Sequence, residues 1–252
     1  MPHHCNCDLD LDLASKVQQL LFPKNSPVCS WACIGVKYRM ADALGGDYFD
    51  FITLGDGCQA LFVGDVTGHG VHASVVMALL YGFIHHSARD QCDPPELVRQ
   101  ANAFLRTFAE RSVKFDHYFS STLFYGTIDP QTYQLHYVNA GHPAPMVRRG
   151  DQVLHLEVTA PPIGFFELPE ITLGCFQLQR DDRLLLFTDG IIEVFDPEQR
   201  SFGRRRLAEL LRRHPGNHLE FLDGLYAALM EFGAPQAPSD DCTAIVVDLH
   251  QL

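Results

Sequence analysis

The sequence predicts an antiparallel α+β domain, and three observations carry the prediction. Short apolar runs of strand character come in groups, and helical patterns come in groups after them. A chain of 252 residues with 46% hydrophobic residues is long enough to bury one large core. Strict alternation of strand and helix, which a doubly wound parallel sheet would need, is missing. No internal repeat or low-complexity segment breaks the pattern.

The first element is helical. In LDLASKVQQLLFP, Leu9, Leu13, Val17, Leu20 and Leu21 share a stripe that Pro23 ends. Residues 1–27 therefore read as a tail and an amphipathic linker-type helix, with the main domain over 28–252. If the stripe is exposed it pairs with a second copy (a homodimer) or with a sensor partner, because such a face is seldom left wet. Apolar runs at 28–38, 48–54 and 60–66, punctuated by Gly45-Gly46 and Gly55-Asp56-Gly57, predict three antiparallel strands.

Helical spacing follows at Val71, Val75, Leu79, Leu80 and Phe83, and a second helix runs from Pro94-Pro95 through Phe108. Strands return in TLFYGTID (122–129) and YQLHYVNA (133–140), and shorter pieces after Gly141-His142-Pro143 lead to RLLLFT (183–188). Helices over 204–213 and 218–232, a loop over 235–241 and the strand TAIVVDL complete the pattern.

Charge and composition narrow the function. A net charge of −12 argues against a surface that tracks nucleic-acid phosphates. The start, MPHHCNCDLDLDL, has no basic region followed by an apolar segment, and no later window is long enough to span a bilayer. The expectation is a cytoplasmic protein with neither nucleic-acid nor membrane partners. The eight cysteines are scattered through a chain that folds without staples, so they read as reduced thiols, and His3-His4-Cys5-x-Cys7 reads as tail rather than metal knuckle.

Four acidic positions share one context. Asp47 follows Gly45-Gly46, Asp65 follows LFVG, Asp189 follows LLLFT and precedes Gly190, and Asp240-Asp241 precede the last strand. Each alone is an ordinary turn residue. Together they set several like charges at the rim of the core, which calls for a compensating cation, and a carboxylate set suits a hard divalent ion better than zinc. GDVTGHG (64–70) lacks the Gly-Lys-Ser/Thr ending of a P-loop and does not open a dinucleotide fingerprint.

The blocks LGGDYFDF (44–51), GDVTGHGVHASVVMA (64–78), TLFYGTID (122–129), YVNAGHPAP (137–145), LLLFTDGIIEVFD (184–196) and DDCTAIVV (240–247) carry a resemblance. In this order they resemble the metal-dependent protein serine/threonine phosphatases of type 2C, more narrowly the bacterial SpoIIE/RsbU branch, over about residues 28–250. The resemblance implies a sandwich of two antiparallel β-sheets flanked by α-helices, with two Mn²⁺ or Mg²⁺ ions in a cleft at one end. It implies that Asp47 and Asp65 bind metal, with Asp65 bridging the ions and the Val66 carbonyl completing a shell, and that Asp189 and Asp240 hold the second ion. Asp241 is a further candidate ligand or a support beside one. The implied chemistry is in-line attack on a phosphoserine or phosphothreonine by a hydroxide that bridges the ions.

His69 is a candidate proton donor to the leaving oxygen, or alternatively packs the start of the next helix. Asn139 and His142 are expected to shape a supporting loop. The arginine with which many relatives grip the phosphate has no counterpart at Ala41, Asp42, Ala43 or Leu44, which leaves Arg39 or Lys37 as candidate phosphate-binding residues. The substrate class implied by the branch is a phosphorylated anti-sigma-factor antagonist of the STAS type in a partner-switching circuit. Two other functions compete: a catalytically silent phosphoprotein-binding module, and a two-metal hydrolase of small phosphomonoesters.

Overall fold

The computed structural model describes residues 4–23, 27, 29–55, 57–89, 93–112, 119–233 and 239–250. His3 and the 235–238 part of the expected loop lie outside these, as do Asp56 and the side chains of His4, Cys5 and Cys7. Helix α1 (His4–Gln19) precedes β1 (Ala32–Arg39), β2 (Asp47–Thr53) and β3 (Gln59–Val66). Helices α2 (Val71–Ser87) and α3 (Pro94–Ser112) follow, then β4 (Ser121–Ile128), β5 (Gln134–Ala140), β6 (Met146–Arg149), β7 (Gln152–His155), β8 (Gly174–Gln177) and β9 (Arg183–Phe187). The short α4 (Asp189–Ile192), then α5 (Gly203–Arg213), α6 (His218–Phe232) and β10 (Cys242–Leu249) complete the order.

Among the described residues ten strands form two five-stranded sheets, ordered β1-β10-β9-β6-β7 and β2-β3-β4-β5-β8, and all the named pairs are antiparallel. Helices α2 and α3 cover the second sheet, α5 and α6 the first. The α+β sandwich is thus the observed architecture.

Alternation along the strands explains why RLLLF reads as one apolar run. Leu184 and Leu186, with Ile245 and Val247 of β10, join Phe49, Leu61 and Val63 of the opposite sheet. Leu185 and Phe187, with Ala244 and Val246, turn the other way onto Leu207, Phe221 and Leu225 of the helices. A strand buried on both faces shows no period of two in its polarity. Helix α6 begins where the sequence says it should, because Asn217 and Glu220 close a capping box.

One expectation needs correction. The first three strands are not a single antiparallel group: β2 and β3 pair as a hairpin, but β1 pairs with β10 in the other sheet. Gly45-Gly46 is the crossing between sheets rather than a hairpin turn. Tyr38 of β1 meets Phe49 of β2 across the sandwich, their rings 5.5 Å apart.

Candidate metal centre at the end of the sandwich

Where the chain crosses from one sheet to the other, the acidic positions come together. Asp47 opens β2 and Asp65 lies one residue from the end of β3, and the two are register partners, so both carboxylates share the face turned to the other sheet. Asp189 opens α4 directly after β9, and Asp240-Asp241 lead into β10.

Asp47 is buried, and its Oδ2 accepts hydrogen bonds from Thr188 (2.9 Å) and Thr243 (2.6 Å) of the facing sheet. Both hydroxyls are themselves buried. The Asp241 carboxylate closes the crossing loop: its Oδ1 accepts from the Ala41 N–H at 2.8 Å and its Oδ2 from the Gly46 N–H at 2.7 Å.

The glycines here are demanded by close approach. A Cβ on Gly46 would stand 3.0 Å from the Val66 carbonyl oxygen, 3.1 Å from Asp65 Oδ1 and 3.4 Å from the Gly68 carbonyl oxygen. Three oxygens therefore converge on the space above this residue. A Cβ on Gly190 would come within 2.1 Å of the Asp241 carbonyl oxygen, which explains the glycine after Asp189.

Electrostatics mark the cluster as frustrated. Burial, then the charges of Asp189, Asp240 and Asp241, push Asp65 up to about 8. Burial, then Asp65 and Asp241, raise Asp47 well above the carboxylate range despite its two hydroxyl donors. Asp189 is raised by burial and by Glu193, and Asp240 by burial and by its acidic neighbours. Among the described residues none of these carboxylates pairs with a lysine or arginine.

Among the described residues, no three His, Cys, Asp or Glu side chains close up enough to hold an ion by themselves. The donor set still fits Mg²⁺ or Mn²⁺, because Mg²⁺ retains several waters and takes only one or two carboxylates, and the cradle above Gly46 adds backbone carbonyls.

The other expected residues divide. His69 lies exposed at the rim, 3.6 Å from Asp42, close enough to Asp240 to oppose a small part of that carboxyl's upward shift. Lys37 and Arg39 are not brought to the cluster. They share one face of β1, the face α6 covers, where Lys37 pairs with Asp223 at 2.6 Å and lies over Tyr226, and Arg39 reaches the Met230 sulfur at 3.2 Å.

Asn139 and His142 are buried and tie their loop to β4. The Asn139 Oδ1 accepts from the His142 N–H at 2.8 Å, and His142 Nδ1 meets the Thr122 hydroxyl at 2.9 Å. Burial pushes His142 down to about 3, partly opposed by the Phe187 backbone, so the ring is neutral at physiological pH. Thr188 and Thr243, which hold Asp47, went unassigned in the sequence. Their only signal was a hydroxyl residue inside two otherwise apolar or acidic blocks, LLLFTDG and DDCTAIVV.

Comparison with known proteins adds a family. A family model described as Stage II sporulation protein E (SpoIIE) matches residues 55–250. Phosphoserine phosphatase RsbP of Bacillus subtilis is 28% identical over 250 residues, covering 97% of this chain and 59% of that protein. Protein IcfG of Synechocystis sp. is 26% identical over 261 residues, covering 95% of this chain and 41% of its own length. The chain thus spans about half the length of these two relatives. The SiaA-PP2C domain of Pseudomonas aeruginosa superposes with a TM-score of 0.85 over 97% of both chains at 21% identity, a likeness of fold. Among the described residues no helix is long and apolar enough to cross a membrane.

Proposed function

Because the chain belongs to the Stage II sporulation protein E (SpoIIE) family, we propose that it is a Mn²⁺- or Mg²⁺-dependent phosphoserine/phosphothreonine protein phosphatase. Its substrate on this reading is a phosphorylated STAS-type anti-sigma-factor antagonist, met in the cytoplasm within a partner-switching circuit. Residues 28–252 act as the phosphatase domain, and residues 1–27 as a tail and helix for a second copy or a sensor.

The observation that carries the reading is the crossing point. Mutually repelling carboxylates from both sheets gather there, paired with no lysine or arginine among the described residues, beside a cradle of converging oxygens. Asp47, Asp65, Asp189, Asp240 and the Val66 carbonyl would hold two ions. When bound, the ions supply activation of water toward phosphorus and neutralisation of the phosphoryl charge.

The chain's own groups do the rest. Thr188 and Thr243 orient Asp47 by occupying Oδ2, and Asp241 fixes the crossing loop rather than spending its oxygens on an ion. His69 gives a proton to the departing seryl or threonyl oxygen, a role supported by its exposure at the rim and its coupling to Asp240. With Lys37 and Arg39 engaged on α6, the phosphate lacks the grip the sequence suggested, so selectivity comes from docking one folded phosphoprotein.

The test is hydrolysis of an aryl phosphate with and without Mn²⁺, for the native chain and for Asp65→Asn and Asp189→Asn. Metal-dependent turnover that falls about 10³-fold or more in both variants is expected. Mn²⁺ binding without turnover on either the aryl phosphate or a phosphorylated STAS protein would favour the silent binding module. Turnover confined to small phosphomonoesters would favour the alternative hydrolase.

A further inference from the structure

Helix α1 has two faces of different character. The inner face is held by its own domain: the buried Gln18 donates through Nε2 to the Gly45 carbonyl at 2.7 Å and accepts at Oε1 from the Gly45 N–H at 3.1 Å. Just beyond the helix the Phe22 ring stacks on Phe49 at 4.9 Å. The outer face turns to solvent. At 3.6 residues per turn, the exposed Leu13 and Val17 lie between Asp10 on one flank and Asp12 on the other, and both acids are exposed. Asp12 pairs with Lys16 of the same helix at 2.7 Å. The outer face is therefore an apolar strip with acidic borders.

A surface of opposite charge lies on α5 and α6. Residues 200–213 carry six arginines and one glutamate, in a chain of net charge −12. Leu207 and Leu211 turn inward to the core, which leaves the arginines outside. Between the two helices runs a groove of about 580 Å³, with Phe202, Leu210 and Ala228 as its apolar lining and Arg205, Arg206 and Arg213 as its cationic lining. Arg206 is fixed in place, since its guanidinium lies over Phe232 at 4.7 Å and donates to the Ser201 and Phe202 carbonyls. Glu209, which also lines the groove, is shared by Arg212 and Arg213. Among the described residues neither Arg204 nor Arg205 pairs with an acid. An apolar groove set in positive charge fits an acidic amphipathic helix better than a row of phosphates, which has no apolar face to bury.

We propose that the α5/α6 groove receives the outer face of α1 from a second copy of this chain, with Leu13 and Val17 on its apolar lining and Asp10 and Asp12 facing Arg205 and Arg213. The proposal deepens the pairing reading of the N-terminal helix given above, and rests on it. Charge complementarity selects the occupant, because the chain itself supplies an exposed helical face that is both apolar and acidic. When the exchange runs both ways, each protomer gives one helix and one groove. The contact then closes about a two-fold axis and does not propagate into a filament.

The experiment is light scattering on the full chain over a concentration series, with two charge-reversed variants measured alone and mixed. One variant is Asp10→Arg with Asp12→Arg, the other Arg205→Glu with Arg213→Glu. The native chain should be a dimer. Each variant alone sets like charges together in both contacts, so its self-association should weaken about 100-fold. An equimolar mixture should regain the dimer, because a reversed helix then meets a reversed groove and a native helix meets a native groove. That recovery also shows that both variants are folded. A native dimer that survives reversal of the groove, or a mixture that stays monomeric, would overturn the groove as the seat of α1 while leaving self-pairing open to another surface. A monomeric native chain would overturn both.

Discussion

The Thr243 hydroxyl lies 2.6 Å from the Asp47 carboxylate across 196 residues of chain, and it joins the first residue of β2 to the second of β10. Together with Thr188 it occupies Oδ2 of the acid. Thr243→Val keeps the shape and removes the donor. It should weaken Mn²⁺ binding and lower turnover by about 10–100-fold, the usual cost of losing a partner of a ligating carboxylate. Mn²⁺ titration and aryl-phosphate kinetics, run side by side, check this; a variant with native values in both would show that the hydroxyl merely fills space.

His142 predicts a pH dependence of stability. Its folded value, about 3, lies below the ordinary 6.5, so between those limits the unfolded chain binds a proton that the native chain refuses. The contribution is complete above pH 6.5 and is lost as the pH falls toward 3. His142→Gln should be less stable at pH 7 through lost packing. Its stability should also fall less steeply with acid, by up to about 1.4 kcal/mol per pH unit. Urea midpoints at several pH values between 4 and 7 give both slopes; equal slopes would mean that the native ring protonates freely.

The outer face of α1 and its following turn expose Leu13 at 61%, Val17 at 54% and Leu20 at 66%. Spaced at i, i+4 and i+7, they form an exposed part of the expected stripe, whereas Leu21 packs against the core and the side chain of Leu9 lies outside the described residues. Leu13→Ser combined with Val17→Ser should turn a dimer into a monomer by light scattering, with the melting temperature little changed. A native chain that is already monomeric would reject self-pairing and favour a sensor. Deleting residues 1–23 is a poorer test, because it also removes Gln18 and Phe22, which pack against the domain.

Much of this was legible in the sequence. Grouped apolar runs gave the α+β class, and the helix over 218–232 matches its written pattern residue for residue because its cap, Asn217 with Glu220, is local chemistry. The acidic cluster was legible because Asp47, Asp65 and Asp189 each abut a glycine at a strand end and Asp240-Asp241 follow a loop, and the structure shows Gly46 and Gly190 permitting close passage of another segment. Three things were hidden, each because it depends on contacts distant in the chain. The pairing of β1 with β10 spans almost the whole domain and leaves no local trace. Thr188 and Thr243 acquire their role only when two sheets meet at Asp47. Gln18 looked like one more polar residue beside an apolar stripe, and only its two bonds to Gly45 distinguish it. Lys37 and Arg39 lie close to Asp47 in sequence, but strand alternation turns both toward α6.

The place of β10 between β1 and β9 has a consequence for how the protein comes into being. As the chain emerges from a ribosome, one sheet can assemble whole once β8 is out, since β2, β3, β4, β5 and β8 all precede residue 178. The other cannot, because β10, the strand that joins β1 to β9, is made after all the other described strands, and until then β1 and β9 present bare edges to each other's missing neighbour. Asp240 and Thr243 arrive with that same strand. Closure of the second sheet and completion of the acidic cluster are therefore one event, and a nascent chain still short of β10 carries an incomplete cluster.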